Sequence, residues 1–246
     1  MKILSIDTSS DICGVSILED NNLIDILDND TGRTHSENLM PMIKKILEKN
    51  NLNLENMDLI VCDNGPGSFT GIRIGIATIK AFHDALNIPC IGVSSLESLS
   101  YNTRKIINNN DLVVSIIDCK NHNCYFGLYE KRENNFDNLI EPMAEDIDTA
   151  LSIIQNYLND NFSNYQSLNL IFIGSGTIPY EKQIRNIFPN SNFVDSNLNN
   201  LNSYSLGLAG LKYYNNNLSP DVLPLYLKKP QAQKQLEEKL SQNKGS

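Results

Sequence analysis

Runs of basic residues are missing from this chain. Its 20 Lys and Arg stand against 29 Asp and Glu, giving a formal net charge of −9 over 246 residues. Short pairs such as Lys44-Lys45 and Lys228-Lys229 do not change that balance. Autonomous binding to a nucleic-acid backbone is therefore not expected, and if nucleic acid matters another subunit supplies the basic surface. Patterned cysteine is missing too. Cys13, Cys62, Cys90, Cys119 and Cys124 are odd in number and contain no C-x-x-C pair, which argues against a disulfide frame or a zinc site and for buried thiols. No apolar run reaches the ~20 residues of a membrane helix, and "MKILSIDTSS" has too short an apolar run before Asp7 for a secretory signal. A cytoplasmic protein without membrane contact is the expectation. Apolar residues at 41% and charged residues at 20% place the chain among ordinary globular proteins, with length enough for two moderate domains.

What is present is an ordered pattern. "KILSIDT", "CGVSILE" and "NLIDILDN" read as three antiparallel strands joined by polar turns. Thr34-His35-Ser36-Glu37 matches a capping box before a helix whose apolar stripe is Leu39, Ile43, Ile46 and Leu47, with Pro41 expected to kink it. "MDLIVCDNG" reads as a strand, followed by a helix from about Thr70 to Leu86, the strand "IPCIGVSS" and a helix over Leu96–Ile107. The order is βββαβαβα. "DLVVSIIDCK", "CYFGLYEKR" and the weaker "NFDNLIEPM" open it again, followed by a helix over Thr149–Leu158, the strand "LNLIFIGSGT", a helix over Glu181–Ile187, the strand "NFVD" and a helix over Ser205–Tyr214. This duplication predicts two α/β domains, 1–108 and 109–228, meeting at the polar "INNND". Residues 229–246 are charged and Gln-rich, and read as a mobile tail. Duplicated βββαβαβα resembles the actin-like, ribonuclease H-like superfold of sugar kinases and chaperone ATPases.

"GPGSFTG" lies between a strand and a helix, where backbone N–H groups and the helix dipole can receive an anion. It lacks the Gly-Lys-Ser/Thr ending of a P-loop, and Gly65, Gly67 and Gly71 have the wrong spacing for a dinucleotide fingerprint. Two readings stay open. Asp7, Gly65, Gly67 and Ser68 are candidates for nucleotide contact, or the glycines make a sharp turn with Ser68 or Thr70 as helix cap. The helix that follows is apolar nearly all round, with Arg73, Lys80 and Asp84 as charged relief. A helix of that kind is buried on nearly all sides. Gly71 and Gly75 would let another helix approach. Leu39, Met42, Ile43 and Ile46 beside Ile72, Ile76 and Ile79 are expected to form an apolar surface larger than their own domain needs, which marks a protein–protein site. Ile76→Asp should then break pairing and leave the fold intact. The competing reading is an ordinary core helix.

"ILSIDTSS", "THSENLMP", "GPGSFTGIRIGIA", "IGVSSLESLS", "GSG" at Gly174–Gly176 and "PLYLKKPQA" at Pro224–Ala232 resemble, in order and spacing, the bacterial TsaB (YeaZ) family. The resemblance implies a non-catalytic dimerisation and activating subunit that pairs with TsaD, the subunit that transfers a threonylcarbamoyl group to the adenosine beside the anticodon of ANN-decoding tRNAs. TsaE, an ATPase, joins them, and tRNA is met only through the complex. The implied pairing surface comprises His35, Leu39, Met42, Ile43, Ile46, Phe69, Gly71, Ile72, Arg73, Gly75, Ile76 and Ile79. The catalytic relative's H-x-x-x-H metal pair falls on Ser95 and Leu99, so no metal is expected. Without a partner the same apolar helices would pair with each other, so a two-fold homodimer is expected in isolation. The resemblance implies no cofactor of the chain's own, leaving ATP or ADP at the complex interface open. The alternative function is an active ATP-binding phosphotransferase or ATPase of the same superfold, motivated by Asp7 and the glycine loop. One departure stands out. Where the family shows Asp-Ala-Arg and then Gly-Glu-Val-Tyr, this chain has Asp118-Cys119-Lys120-Asn121-His122-Asn123-Cys124-Tyr125.

Overall fold

The computed structural model describes residues 1–30, 35–218 and 222–228, and within them the βββαβαβα order occurs twice. The first half holds β1 (Lys2–Asp7), β2 (Cys13–Glu19), β3 (Asn22–Asn29), α1 (His35–Lys49), β4 (Leu59–Gly65), α2 (Phe69–Leu86), β5 (Cys90–Ser94) and α3 (Ser95–Asn102). The second holds β6 (Leu112–Asp118), β7 (Asn123–Arg132), β8 (Asn135–Asp146), α4 (Ile147–Asn161), β9 (Leu170–Ile173), α5 (Glu181–Ile187), β10 (Asn192–Phe193) and α6 (Ser203–Asn215). The two five-stranded sheets have the same order, β3-β2-β1-β4-β5 and β8-β7-β6-β9-β10. In each, the first three strands are antiparallel and the last two run parallel to the first. The central strands are buried along nearly their whole length, which is why they read as apolar runs without alternation.

One apolar core lies between the sheets and binds the halves together. It includes Ile3, Val61 and Leu99 from the first half with Val113, Tyr129, Phe136, Leu206 and Leu208 from the second. Helix α6, late in the sequence, packs on β1, β2, β4 and β5, while α3 packs against β6, β7 and β8. A polar tie runs through this layer. The Tyr213 hydroxyl donates to Glu97 Oε2 at 2.6 Å, and Lys212 Nζ lies 3.4 Å from Glu97 Oε1 while also donating to the Phe136 carbonyl.

Where element bounds differ from the sequence reading, tertiary bonds explain it. Helix α3 stops at Asn102 rather than Ile107, because the Asn102 amide donates to the Leu198 and Asn200 carbonyls at 2.8 Å. Lys131 Nζ takes the carbonyls of Arg104 and Ile107 beyond it. Helix α4 begins earlier, at Ile147, where the Asp146 side chain accepts from Thr149 N–H at 3.0 Å. Helix α1 runs as a single element through Pro41. Pro41 and Glu37 both lie on its exposed side, where water can meet the carbonyl that proline leaves without a donor. The Thr34 cap and the tail 229–246 lie outside the described residues.

Candidate functional site

Parallel strands β1 and β4 are neighbours, with Ile6 opposite Cys62, so Asp7 and Asp63 arrive together at the carboxyl edge of the sheet. Ligand crevices of open α/β sheets form at that edge. Both carboxylates are buried, at 3% and 1% exposure. The Ser9 amide and hydroxyl both donate to Asp7 Oδ1 at 2.9 Å. The Gly65 amide and the Ser95 hydroxyl both donate to Asp63 Oδ1 at 2.7 Å, and Asp63 Oδ2 has no partner among the described residues. Burial pushes Asp63 well above the usual carboxylate range, and the neighbouring charge of Asp7 adds to it. Burial raises Asp7 as well, against the Ser9 hydrogen bonds that lower it. His35, at the start of α1, sits beside this edge with Nε2 2.8 Å from the Ser10 carbonyl.

The glycine loop is brought to the same edge, but the chain's own backbone fills it. Ser68 N–H donates to the Ser9 carbonyl at 2.7 Å, and the Thr8 hydroxyl donates to the Gly71 carbonyl at 2.7 Å. Cβ atoms at Gly67, Gly71 and Gly75 would fall 2.3 Å from Ser9 O, 1.8 Å from Thr8 O and 2.7 Å from Thr8 Oγ1. The expectation that Gly71 and Gly75 admit another helix is therefore corrected: they admit the β1–β2 turn. Gly65 makes the sharp turn at φ +105°, and Ser68 is the N-cap of α2, accepting from Gly71 N–H at 3.2 Å.

The second sheet repeats the edge with different chemistry. Asp118 closes β6 as Asp7 closes β1, and it is partnered fully: the Tyr180 hydroxyl, Lys120 N–H and Lys120 Nζ all reach it at 2.9 Å. Burial raises Asp118, but these bonds outweigh it and its acidity increases. The altered loop turns through Lys120, Asn121 and His122, all at positive φ. In the "GSG" turn, Gly174 N–H is spent on Asn199 Oδ1 at 2.8 Å.

The helix pair requires the largest correction. Leu39, Met42, Ile43, Ile46, Ile72, Ile76 and Ile79 are all between 0% and 8% exposed, packed with Leu4, Ile6, Val15 and Ile60 of the first sheet. They form an intradomain core rather than an unclaimed surface. Two helices side by side on one sheet have each other and the strands to face, so a wide apolar arc on α2 is used up locally. The outward face of α2 includes the stripe Phe69, Arg73, Ala77, Lys80, Ala81 and Asp84, and that of α1 includes Glu37, Met40, Pro41, Lys44, Lys45, Glu48 and Lys49. At the head of that stripe Phe69 stacks on Tyr226 with ring centroids 4.9 Å apart, and Arg73 lies over Phe69.

Asp63 is absent from the candidates drawn from sequence, although "LIVCDNG" carries an acid after its apolar run as "ILSIDTSS" does. Tyr226 is absent from them too, visible only as part of "PLYL". Ser95 is bonded to Asp63 and Leu99 is 1% exposed in the core. Among the described residues no group of three or more His, Cys, Asp and Glu could hold a metal ion, and no helix is long and apolar enough to cross a membrane.

Two sheets of order 3-2-1-4-5, each with an acid at the end of its first strand and joined by a shared core, define an α/β protein of the actin-like, ribonuclease H-like class. A family model described as "TsaD: tRNA N6-adenosine threonylcarbamoyltransferase" matches residues 26–236. The chain is 30% identical over 236 residues to the tRNA threonylcarbamoyladenosine biosynthesis protein TsaB of Buchnera aphidicola subsp. Baizongia pistaciae, covering 92% of this chain and 97% of that one. It is 28% identical over 194 residues to the Bacillus subtilis protein of the same name, covering 79% and 80%. The solved structure of YeaZ from Pseudomonas aeruginosa superposes with a TM-score of 0.73 at 23% identity, covering 92% of this chain and 99% of that one. The chain belongs to this family, in its TsaB (YeaZ) branch.

Proposed function

We propose that this chain is a non-catalytic cytoplasmic subunit that pairs with TsaD, with TsaE joining, and promotes threonylcarbamoylation of the adenosine beside the anticodon of ANN-decoding tRNAs. It rests on the names of the TsaB relatives and the TsaD family match. The observation that carries the pairing is the outer stripe of α2, where the small Ala77 and Ala81 lie between exposed Phe69 and Asp84 with Arg73 and Lys80 among them. Such a stripe gives a partner helix close approach and directional charge. The non-catalytic reading is supported by the packing of the glycine loop, where Thr8 and Ser9 lie directly against Gly67, Gly71 and Gly75, and by Ser95 and Leu99 standing where the resemblance puts the catalytic relative's metal pair. Tight nucleotide binding to the isolated chain is not expected under this reading, and any ATP or ADP sits where the subunits meet. In a reconstituted reaction, TsaD, TsaE and donor should modify tRNA with this chain and far less without it, while the chain without TsaD makes none. Modification at an undiminished rate in its absence would sink the proposal, and micromolar ATP binding to the chain alone would revive the phosphotransferase.

A further inference from the structure

In a chain of net charge −9 the two outer helices are each positive. Helix α1 carries Lys44, Lys45 and Lys49 against Glu37 and Glu48, and α2 carries Arg73 and Lys80 against Asp84. Lys44 is answered by Glu48 at 3.7 Å and Lys49 by Asp25 at 2.8 Å. Lys45, Arg73 and Lys80 have no ion-pair partner among the described residues.

Arg73 differs from the two lysines in being held. Its guanidinium carbon lies 3.8 Å from the Phe69 ring centroid and 5.6 Å from that of Tyr226. Its Nε donates to the Tyr226 hydroxyl at 2.7 Å. Both rings are themselves exposed, Phe69 at 38% and Tyr226 at 43%. Tyr226 is fixed in turn by the segment that bears it, because Leu225 N–H donates to the Asn64 carbonyl at 2.7 Å. The plane of the guanidinium is thus set before any partner arrives, and Nη1 and Nη2 have no hydrogen-bond or ion-pair partner among the described residues. Ordering a side chain in advance removes part of the entropy cost of binding, and a planar fork matches a carboxylate with two parallel hydrogen bonds.

Resting on the pairing function above, we propose that Arg73, clamped by Phe69 and Tyr226, is the anchor of the contact, and that it receives a carboxylate from an acidic face of the partner. Charge complementarity ranks the occupants. A second copy, expected when the chain is alone, sets one positive helix pair against another, whereas an acidic face is attracted and oriented and so displaces it. Aromatic and Arg side chains are also the types on which the binding energy of a contact concentrates.

The test is calorimetry of the full chain with the TsaD protein of its own organism at several salt concentrations, with thermal melts to show that each variant folds. Arg73→Ala should weaken binding at least about tenfold and flatten its salt dependence. Arg73→Lys should not restore it, since a point charge on a flexible stem lacks the fork. Tyr226→Ala should weaken binding while leaving the Arg73 charge in place. Binding by Arg73→Ala within about twofold of wild type, with the same salt dependence, would overturn the anchor. Ala77→Arg separates this from the broader reading: if it abolishes binding while Arg73→Ala does not, the pairing face stands and the anchor falls, and if neither matters both fall. A homodimer that Arg73→Ala dissociates, in a chain that ignores TsaD, would likewise overturn the acidic-partner assignment.

Discussion

A single buried acid makes the first prediction. Asp63 and Asp7 bind protons more tightly folded than unfolded, because burial disfavours their charged forms. From the ordinary carboxylate range near about pH 4 up to their raised values, the native state holds the extra proton. Stability therefore falls as pH rises through that window, and the full cost of ionisation is present above it. Asp63→Asn can keep the acceptor for Gly65 and Ser95 and removes the ionisation, so its thermal midpoint should decline less than that of wild type as pH rises above the ordinary carboxylate range. Equal slopes would contradict the assignment. Gly71→Ala should destabilise by roughly 1–3 kcal/mol or more in denaturant titration, because its Cβ would fall 1.8 Å from Thr8 O. At this scale the motif glycines and the Ser68 cap were legible from strand–loop–helix order. The loop's occupant was not, since nothing local to "GPGSFTG" says that Thr8, some 60 residues away, fills it.

Helices and strands were the most legible level, because each carries its own period. The strand pattern of β1, β2 and β3 and the limits of α5 could be read directly, while α3 was overextended for want of Asn102's distant acceptors. The composition of α2 shows that the helix is largely buried but not what buries it. Its isoleucines face the sheet and α1, and the outward stripe is built of alanine and charge instead. Ile76→Asp is accordingly expected to destabilise the fold by about 3–5 kcal/mol, since it buries an unpaired charge, and cannot serve as a clean interface variant. Ala77→Arg lies on exposed surface, where stability effects stay within about 0.5 kcal/mol. A melt showing Ile76→Asp as stable as wild type would reverse this assignment.

Over the whole molecule, the duplicated order was plain in the sequence, but the way the halves share a core was not: α6 closes the first sheet although it ends the second half. With Ile3, Val113 and Leu206 in one cluster, heat should unfold both sheets in a single transition. Two resolved calorimetric transitions would show that the halves are independent. Lys212→Met leaves Glu97 buried without its cation and should cost about 3–5 kcal/mol, with Glu97→Gln recovering part of the loss. The proposed pairing requires that the outer face of α1 and α2 grip TsaD. Sedimentation velocity of equimolar mixtures tests this most directly. Wild type should move with TsaD as one heterodimeric species while Ala77→Arg and Ala81→Arg, folded as before, sediment apart from it. Co-sedimentation of both variants with TsaD as fully as wild type would contradict the account.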